Sequence, residues 1–251
     1  MLKKRLIARL DIKSGRLVKT IRLEGLRVVG DPAEYAKRYG EFMDELYFID
    51  IVASLYGRNS LADLVSKTVE DVFIPVTVAG GIRSVEDVRV MLNAGADKVA
   101  ISTAVVKRPE LITEVAEKFG SQCMVLQIDA KREGDSWRVW TDGGREPSGL
   151  DVLDWAQRGA ALGAGEISLT SIDQEGTGRG CDIPLISAVS SAVTVPVIGC
   201  GGIGSISNVT DAFRAGADAV AMSGALHFSK INPSELRETL NMNNIPVREV
   251  A

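Results

Sequence analysis

The stretch PVTVAGGIRS, Pro75–Ser84, returns as PVIGCGGIGS at Pro196–Ser205, 121 positions later. Two further pairs keep the same offset. DELYFIDI (Asp44–Ile51) answers GEISLTSI (Gly165–Ile172), and LNAGADKVAIS (Leu92–Ser102) answers FRAGADAVAMS (Phe213–Ser223). One turn can recur by chance. Three segments in one register mark a chain built from two copies of a half of about 120 residues, roughly 1–120 and 121–251.

Within each half, apolar runs of strand length alternate with helical patterns. The strands expected are Leu6–Leu10, Leu46–Ile51, Val76–Val78, Lys98–Ile101, Met124–Asp129, Glu166–Thr170, Val197–Gly199 and Ala219–Met222. Most are short and uniformly apolar, as strands buried on both faces must be. Helices are expected over Pro32–Gly40, Leu61–Val72, Val85–Asn93, Pro109–Phe119, Leu150–Leu162, Ile183–Ala192, Ile206–Arg214 and Pro233–Asn241. Ser84 before VEDV supplies an N-cap with carboxylates in the first turn. Eight βα units without a linker, repeated as two halves, point to one (β/α)8 TIM barrel with near-twofold symmetry. A doubly wound open sheet usually has fewer strands and would leave the repetition unexplained.

The 251 residues fit one such barrel, and 45% hydrophobic with 25% charged residues suits a substantial core. A net charge of −4 argues against a nucleic-acid binder, so anionic ligands would need local amides or a few cations. The opening MLKKRLIARLDIK has a basic flank, but its apolar stretch is short and broken by Arg9 and Asp11, so no signal peptide is expected. No apolar run reaches the length of a membrane span. Cys123, Cys181 and Cys200 are odd in number and form no CxxC pair, which suits reduced thiols in a cytoplasm.

In a barrel of this kind the working end lies beyond the carboxyl ends of the strands. The repeated segments are the βα loops at that end: Gly80-Gly81 in one half and Gly201-Gly202 in the other. Glycine lets backbone N–H groups approach a ligand closely, and a helix start adds partial positive charge. Ser102-Thr103 and Ser223-Gly224 follow the next strands and would bring hydroxyls and amides to the same anions. The expectation is two phosphate sites facing each other across one mouth, hence a substrate with a phosphate at both ends. The plainer reading is that these glycines only make tight turns.

The chain has a single histidine, His227, which leaves no room for a histidine-based triad or a multi-imidazole metal site. His227 is expected to be structural. Acid–base work then falls to carboxylates or lysines. Asp11 in LIARLDIK and Asp129 in MVLQIDAK end the first strand of each half. They would enter the mouth from opposite sides, where partial burial lifts a carboxyl pKa toward neutrality. The plainer alternative is pairing with Lys13 and Lys131, two residues further on. Lys19 is expected to orient Asp11 or to touch a phosphate; Asp50 and Asp173 are secondary candidates. At the amino ends of strands stand Arg5, Glu45, Lys98 and Glu166, two of each sign, which would satisfy one another as a ring and could serve as plug or gate.

Taken together, KRLIARLDIKSGRLVKT, TVAGGIRSVEDVR, AGADKVAIST, FGSQCMVLQIDAKR, LGAGEISLTSIDQEGT and VPVIGCGGIGS resemble the cyclase subunit of imidazole glycerol phosphate synthase, essentially end to end. The resemblance implies a glutaminase partner docked on the amino-terminal face, whose ammonia travels along the barrel core. At the mouth the ammonia would react with a bisphosphorylated ribulosyl aminoimidazole-carboxamide ribotide. The products would be imidazole glycerol phosphate and an aminoimidazole-carboxamide ribotide. It implies that Asp11 and Asp129 are the acid–base pair and that Arg5, Glu45, Lys98 and Glu166 are the ammonia gate. It also implies that Gly81, Thr103, Gly176, Gly202 and Ser223 contact the phosphates, with no metal or organic cofactor, no nucleic acid and no membrane.

Departures from the family pattern gather at the mouth. Arg9 stands where a small residue or cysteine is usual, Ala79 replaces a first glycine, and Ser102 an asparagine. Glu175 replaces an aspartate and Gly224 a serine, and IRLEGLRVVG and VASLYGRN also differ. They leave open a second reading, a cyclase-like paralogue that uses the ammonia to amidinate a sugar for surface polysaccharide. A third, a non-catalytic scaffold for a glutaminase, conflicts with retention of both Asp11 and Asp129.

Overall fold

A computed structural model describes residues 3–53 and 61–248, so most of the departing string VASLYGRN lies outside the described residues. Eight parallel strands form the barrel: β1 (Arg5–Lys13), β4 (Glu45–Asp50), β5 (Val76–Ala79), β6 (Lys98–Ile101), β7 (Met124–Glu133), β10 (Glu166–Ser171), β11 (Val197–Cys200) and β12 (Ala219–Met222). Each pairs with the next in that order, and β12 pairs back with β1, which closes the sheet. The helices between them are α1 (Pro32–Gly40), α2 (Ala62–Val69), α3 (Val85–Asn93), α4 (Thr103–Lys107), α5 (Glu110–Phe119), α6 (Val152–Ala161), α7 (Ile183–Ala192), α8 (Ile206–Arg214), α9 (Gly224–His227) and α10 (Pro233–Met242). Among the described residues no helix is long and apolar enough to cross a membrane.

Strand alternation sorts the side chains into two cores. Leu6, Ala8 and Leu10 of β1, with Leu46, Val78, Leu126 and their like, pack outward under the helices. Ile7, Tyr47, Val125, Ile198 and Ala219 fill the lumen. Both faces are therefore buried, which is why the strands read as continuous apolar runs.

The repetition reaches the caps. Ser84 Oγ accepts from Asp87 N at 3.2 Å while the Asp87 carboxylate accepts from Ser84 N at 3.0 Å. Ser205 and Asn208 make the same box at 3.4 and 3.1 Å. The Asp97 carboxylate accepts from Val76 N at 2.8 Å, and Asp218 does so from Val197 N at 3.1 Å. Every one of these pairs is related by the offset of the sequence repeat.

Several features differ from the sequence expectation: α2 ends at Val69 rather than Val72, and the short helices α4 and α9 were not expected. The first strand of each half runs on beyond the barrel into an antiparallel ribbon: β2 (Arg16–Ile21) and β3 (Glu24–Gly30) after β1, β8 (Ser136–Thr141) and β9 (Glu146–Asp151) after β7. The helix expected from Leu150 accordingly starts at Val152, because Leu150 and Asp151 finish β9. Asp151 caps the helix instead, accepting from Leu153 N at 2.9 Å.

Candidate active site

Beyond the carboxyl ends of the strands lie two cavities of about 780 and 820 Å³. The ribbon β2–β3 runs between them, with Thr20, Glu24, Gly25 and Leu26 lining both. Arg22 N donates to Glu175 O at 2.8 Å and tacks the ribbon to the loop after β10. The first cavity takes Gly80, Gly81, Ser102, Thr103 and Asp129. The second takes Lys19, Glu175, Gly176, Gly201, Gly202, Ser223 and Gly224. The candidate phosphate residues thus separate by half, one set to each side of the ribbon, except that Lys19 of the first half joins the second set. Cations outnumber carboxylates along both walls, with Lys13, Arg22, Lys107, Lys131 and Arg145 around the first and Arg27 and Lys230 in the second. That local excess answers the need of an acidic chain for an anion.

The glycines have structural reasons of their own. A Cβ on Gly80 would sit 2.3 Å from Asp50 O, one on Gly176 2.4 Å from Thr20 O, and one on Gly202 2.0 Å from Gly180 O. All three have positive φ. Their amides are therefore locked by close backbone packing, which also fixes where those amides point. The hydroxyls differ between halves. Ser102 Oγ is buried with no hydrogen-bond partner, an orphan of the kind a ligand satisfies. Thr103 Oγ1 accepts from Asp142 N at 2.9 Å and so holds the turn between β8 and β9. Ser223 Oγ lies 3.2 Å from His227 Nε2.

Residues 5, 7, 9 and 11 of β1 face the lumen in ascending layers. Arg9, buried and lining both cavities, donates from Nε to Asp11 Oδ1 at 2.9 Å and from Nη1 to Thr170 Oγ1 of β10 at 3.2 Å. Asp11 is 1% exposed and lines neither cavity; Lys19 Nζ stands 3.6 Å from its other oxygen and also pairs with Glu175. Lys19 thus pairs with Asp11 while also lining the second cavity, and no ion pair joins Lys13 to Asp11. Burial alone would raise the Asp11 pKa, but the charges of Arg9 and Lys19 outweigh it and hold the carboxyl below its ordinary value. Asp129 is also buried, at 5% exposed, and Gln127 in the place of Arg9 offers only a neutral amide, Nε2 to Oδ1 at 3.4 Å. Burial therefore pushes Asp129 up to about 6, with Arg9 opposing. Lys131 lies over the Trp140 ring, 4.2 Å from its centroid, rather than on Asp129. Asp50 accepts from Val52 N at 3.0 Å and lines the first cavity. Asp173 accepts from Arg132 N at 2.9 Å.

At the opposite end of the lumen the four floor residues close into one ring. Arg5 donates to Glu45 at 2.7 Å and to Glu166, and Lys98 donates to the same two carboxylates at 3.0 and 2.9 Å. Charges of alternating sign meet side by side. Burial raises the Glu45 pKa less than the neighbouring cations lower it.

Sequence reasoning missed the ribbon turn Arg22–Leu26, Gln127 and Trp140, all of which line a cavity. The alternation in SWRVWT is a signal that locates β8 and with it Trp140. Gln127 is found by asking what stands two residues before each aspartate.

The chain is also similar to known proteins. Residues 5–232 match the family described as histidine biosynthesis protein. The chain is 59% identical over 204 residues to imidazole glycerol phosphate synthase subunit HisF of Legionella pneumophila, covering 80% of this chain and 96% of that one. It is 50% identical to the subunit of the same name from Myxococcus xanthus over the whole of both chains. The one from Pyrococcus furiosus is 49% identical over 99% of each.

Proposed function

This chain belongs to the histidine biosynthesis protein family, as a cyclase subunit of imidazole glycerol phosphate synthase, and we propose that the two cavities hold the two ends of its bisphosphorylated ribotide. Gly80-Gly81 with Ser102 and Thr103 take one phosphate; Gly201-Gly202 with Ser223 and Gly224 take the other. The ribbon β2–β3 lies over the middle of the substrate. The reading treats the chain as a barrel of two half-barrels, roughly 1–120 and 121–251, and the paired capping boxes support it.

The observation that carries the mechanism is the unlike state of the two buried aspartates. Asp129, poised at about 6, is mostly ionised at neutral pH yet accepts a proton readily. It takes a proton from the nitrogen of ammonia as that nitrogen bonds to the ribulosyl carbonyl carbon, whose oxygen leaves as water, and returns a proton to the amino nitrogen of the departing aminoimidazole-carboxamide ribotide. Asp11 stays anionic, and with Arg9 it forms a fixed pair of charges beside the reacting centre. Asp11 stabilises the positive charge that develops on nitrogen during cyclisation. No step calls for a metal or organic cofactor.

Ammonia enters through the floor from a glutaminase subunit on the amino-terminal face. Phe42, Phe73 and Met242 support this docking: the first two sit at αβ turns on that face, Met242 ends the last helix, and all three are exposed, Phe73 at 91%. The ring stands closed, and Lys98, its most exposed member, is the arm that swings to admit a molecule. Identity along the whole length of chains named for imidazole glycerol phosphate synthesis favours this reading over amidination of a sugar. The purified protein, given ammonium salt at high pH and the ribotide but no partner, should form imidazole glycerol phosphate. A folded preparation with no turnover would reject the assignment.

A further inference from the structure

We propose that Tyr39, His227 and Ser223 form a hydrogen-bond relay of fixed direction that turns the Ser223 hydroxyl hydrogen toward an anion in the second cavity. The proposal rests on the phosphate reading of that cavity. Tyr39 lies on α1 and His227 on α9, far apart in sequence, and both are buried. The Tyr39 hydroxyl is 2.7 Å from His227 Nδ1, and the two rings stack at 5.8 Å with 19° between planes. Tyr35 closes the imidazole edge-on at 5.7 Å. On the other side, His227 Nε2 is 3.2 Å from Ser223 Oγ.

The direction follows from donor accounting. A phenol has one hydrogen to give, and at this site Nδ1 is the acceptor within reach. Were Nδ1 protonated, the phenol hydrogen would be buried without an acceptor, at a cost of about 1–3 kcal/mol. Tyr39 therefore donates, Nδ1 accepts, and the imidazole hydrogen sits on Nε2. Nε2–H then donates to Ser223 Oγ, so the serine's own hydrogen cannot point at the ring. It is left facing the cavity that Ser223 lines, beside Gly202 and Lys230. A doubly protonated imidazole would oppose the phenol hydrogen. Burial lowers the His227 pKa to about 4; nearby Asp11 favours the charge and Lys19 opposes it, and the ring stays neutral at working pH. The sequence repeat provides the control. Ser102 is the counterpart of Ser223, but Val106 stands where His227 would be, and Ser102 Oγ has no partner. Only one of the two grips is aimed in advance.

The chain holds one histidine, so long-range 1H–15N NMR of the imidazole is unambiguous. The protein should show the Nε2–H tautomer from pH 5.5 to 8, and titrated inorganic phosphate should shift these signals. Tyr39→Phe keeps the stacked ring but removes the donor. It should mix the tautomers, weaken phosphate binding read at His227 by about 3- to 10-fold, and raise KM similarly with a much smaller change in kcat. An Nδ1–H tautomer in the wild type, or a Tyr39→Phe variant with unaltered tautomer and KM, overturns the relay. Ser223→Ala distinguishes loss of the relay from absence of phosphate binding. If it leaves phosphate affinity unchanged, the phosphate reading of this cavity fails and the relay with it. If it weakens binding while Tyr39→Phe is silent, only the relay fails.

Discussion

Arg9 Nε donates to Asp11 Oδ1 at 2.9 Å from two positions earlier on the same strand face. In the second half, Gln127 holds the same place relative to Asp129. One half therefore sets a permanent cation beside its aspartate and the other sets an amide. The cation at this position, with Lys19 beyond it, holds buried Asp11 down, while burial sends Asp129 the other way.

Asparagine at either aspartate should lower kcat by about 100-fold or more with little change in substrate binding. The stability effects should have opposite signs. The Asp129 carboxyl binds its proton more tightly in the fold, at about 6 against an ordinary 3.8, so the stability of the wild type declines as pH rises across that interval. Asp129→Asn removes the penalty and should stabilise by up to about 3 kcal/mol above pH 6, with the gain gone below pH 4. Asp11→Asn leaves the Arg9 guanidinium buried and unpaired, and should destabilise by about 3–5 kcal/mol. Thermal or denaturant unfolding across pH checks both.

With free ammonia held constant, kcat should rise with pH through one ionisation near 6 and level off above it. Arg9→Gln gives the first half the neutral donor of the second. Asp11 should then titrate upward, and a second ionisation should enter the profile. A wild-type profile flat to pH 4.5 would remove Asp129 from proton transfer.

Arg5→Ala opens the floor ring and leaves Glu45 and Glu166 to share Lys98. Loss of one partner from a buried network should cost about 3 kcal/mol of stability. Turnover with excess ammonium salt should stay within about twofold, because the mouth is untouched, while glutamine-driven turnover with a glutaminase subunit should become uncoupled. Equal loss in both assays would deny the ring a part in passage.

Gly202→Ala should destabilise by about 2 kcal/mol or more, since its φ is 85° and its Cβ would meet Gly180 O at 2.0 Å. Relief requires the loop to move, so KM should rise well beyond any fall in kcat. An alanine variant with wild-type melting and KM would show that the packing at this turn is looser than the distances imply.

The barrel was legible because both faces of its strands are buried, and burial writes continuous apolar runs that repeat with the half. Asp11 and Asp129 stood out as charges ending such runs. The ribbons were not legible for the opposite reason. Residues Glu24–Leu26 of β3 are exposed, with nothing to bury, so IRLEGLRVVG carries no periodic signal and reads as loop. Pairing with β2 alone makes it a strand. The pKa difference was hidden because it depends on Gln127, a residue with no chemistry to announce. Only when β1 and β7 are laid side by side does its absence of charge acquire meaning.

The molecule proposed for this mouth carries a phosphate at both ends and could settle head-first or tail-first if the two sides were alike. The guanidinium of Arg9 reaches from β1 to Thr170 on β10, and the corresponding place of the second half holds the neutral Gln127. Duplication supplied the strands and turns of both sides, and one arginine keeps the two sides from carrying equal charge.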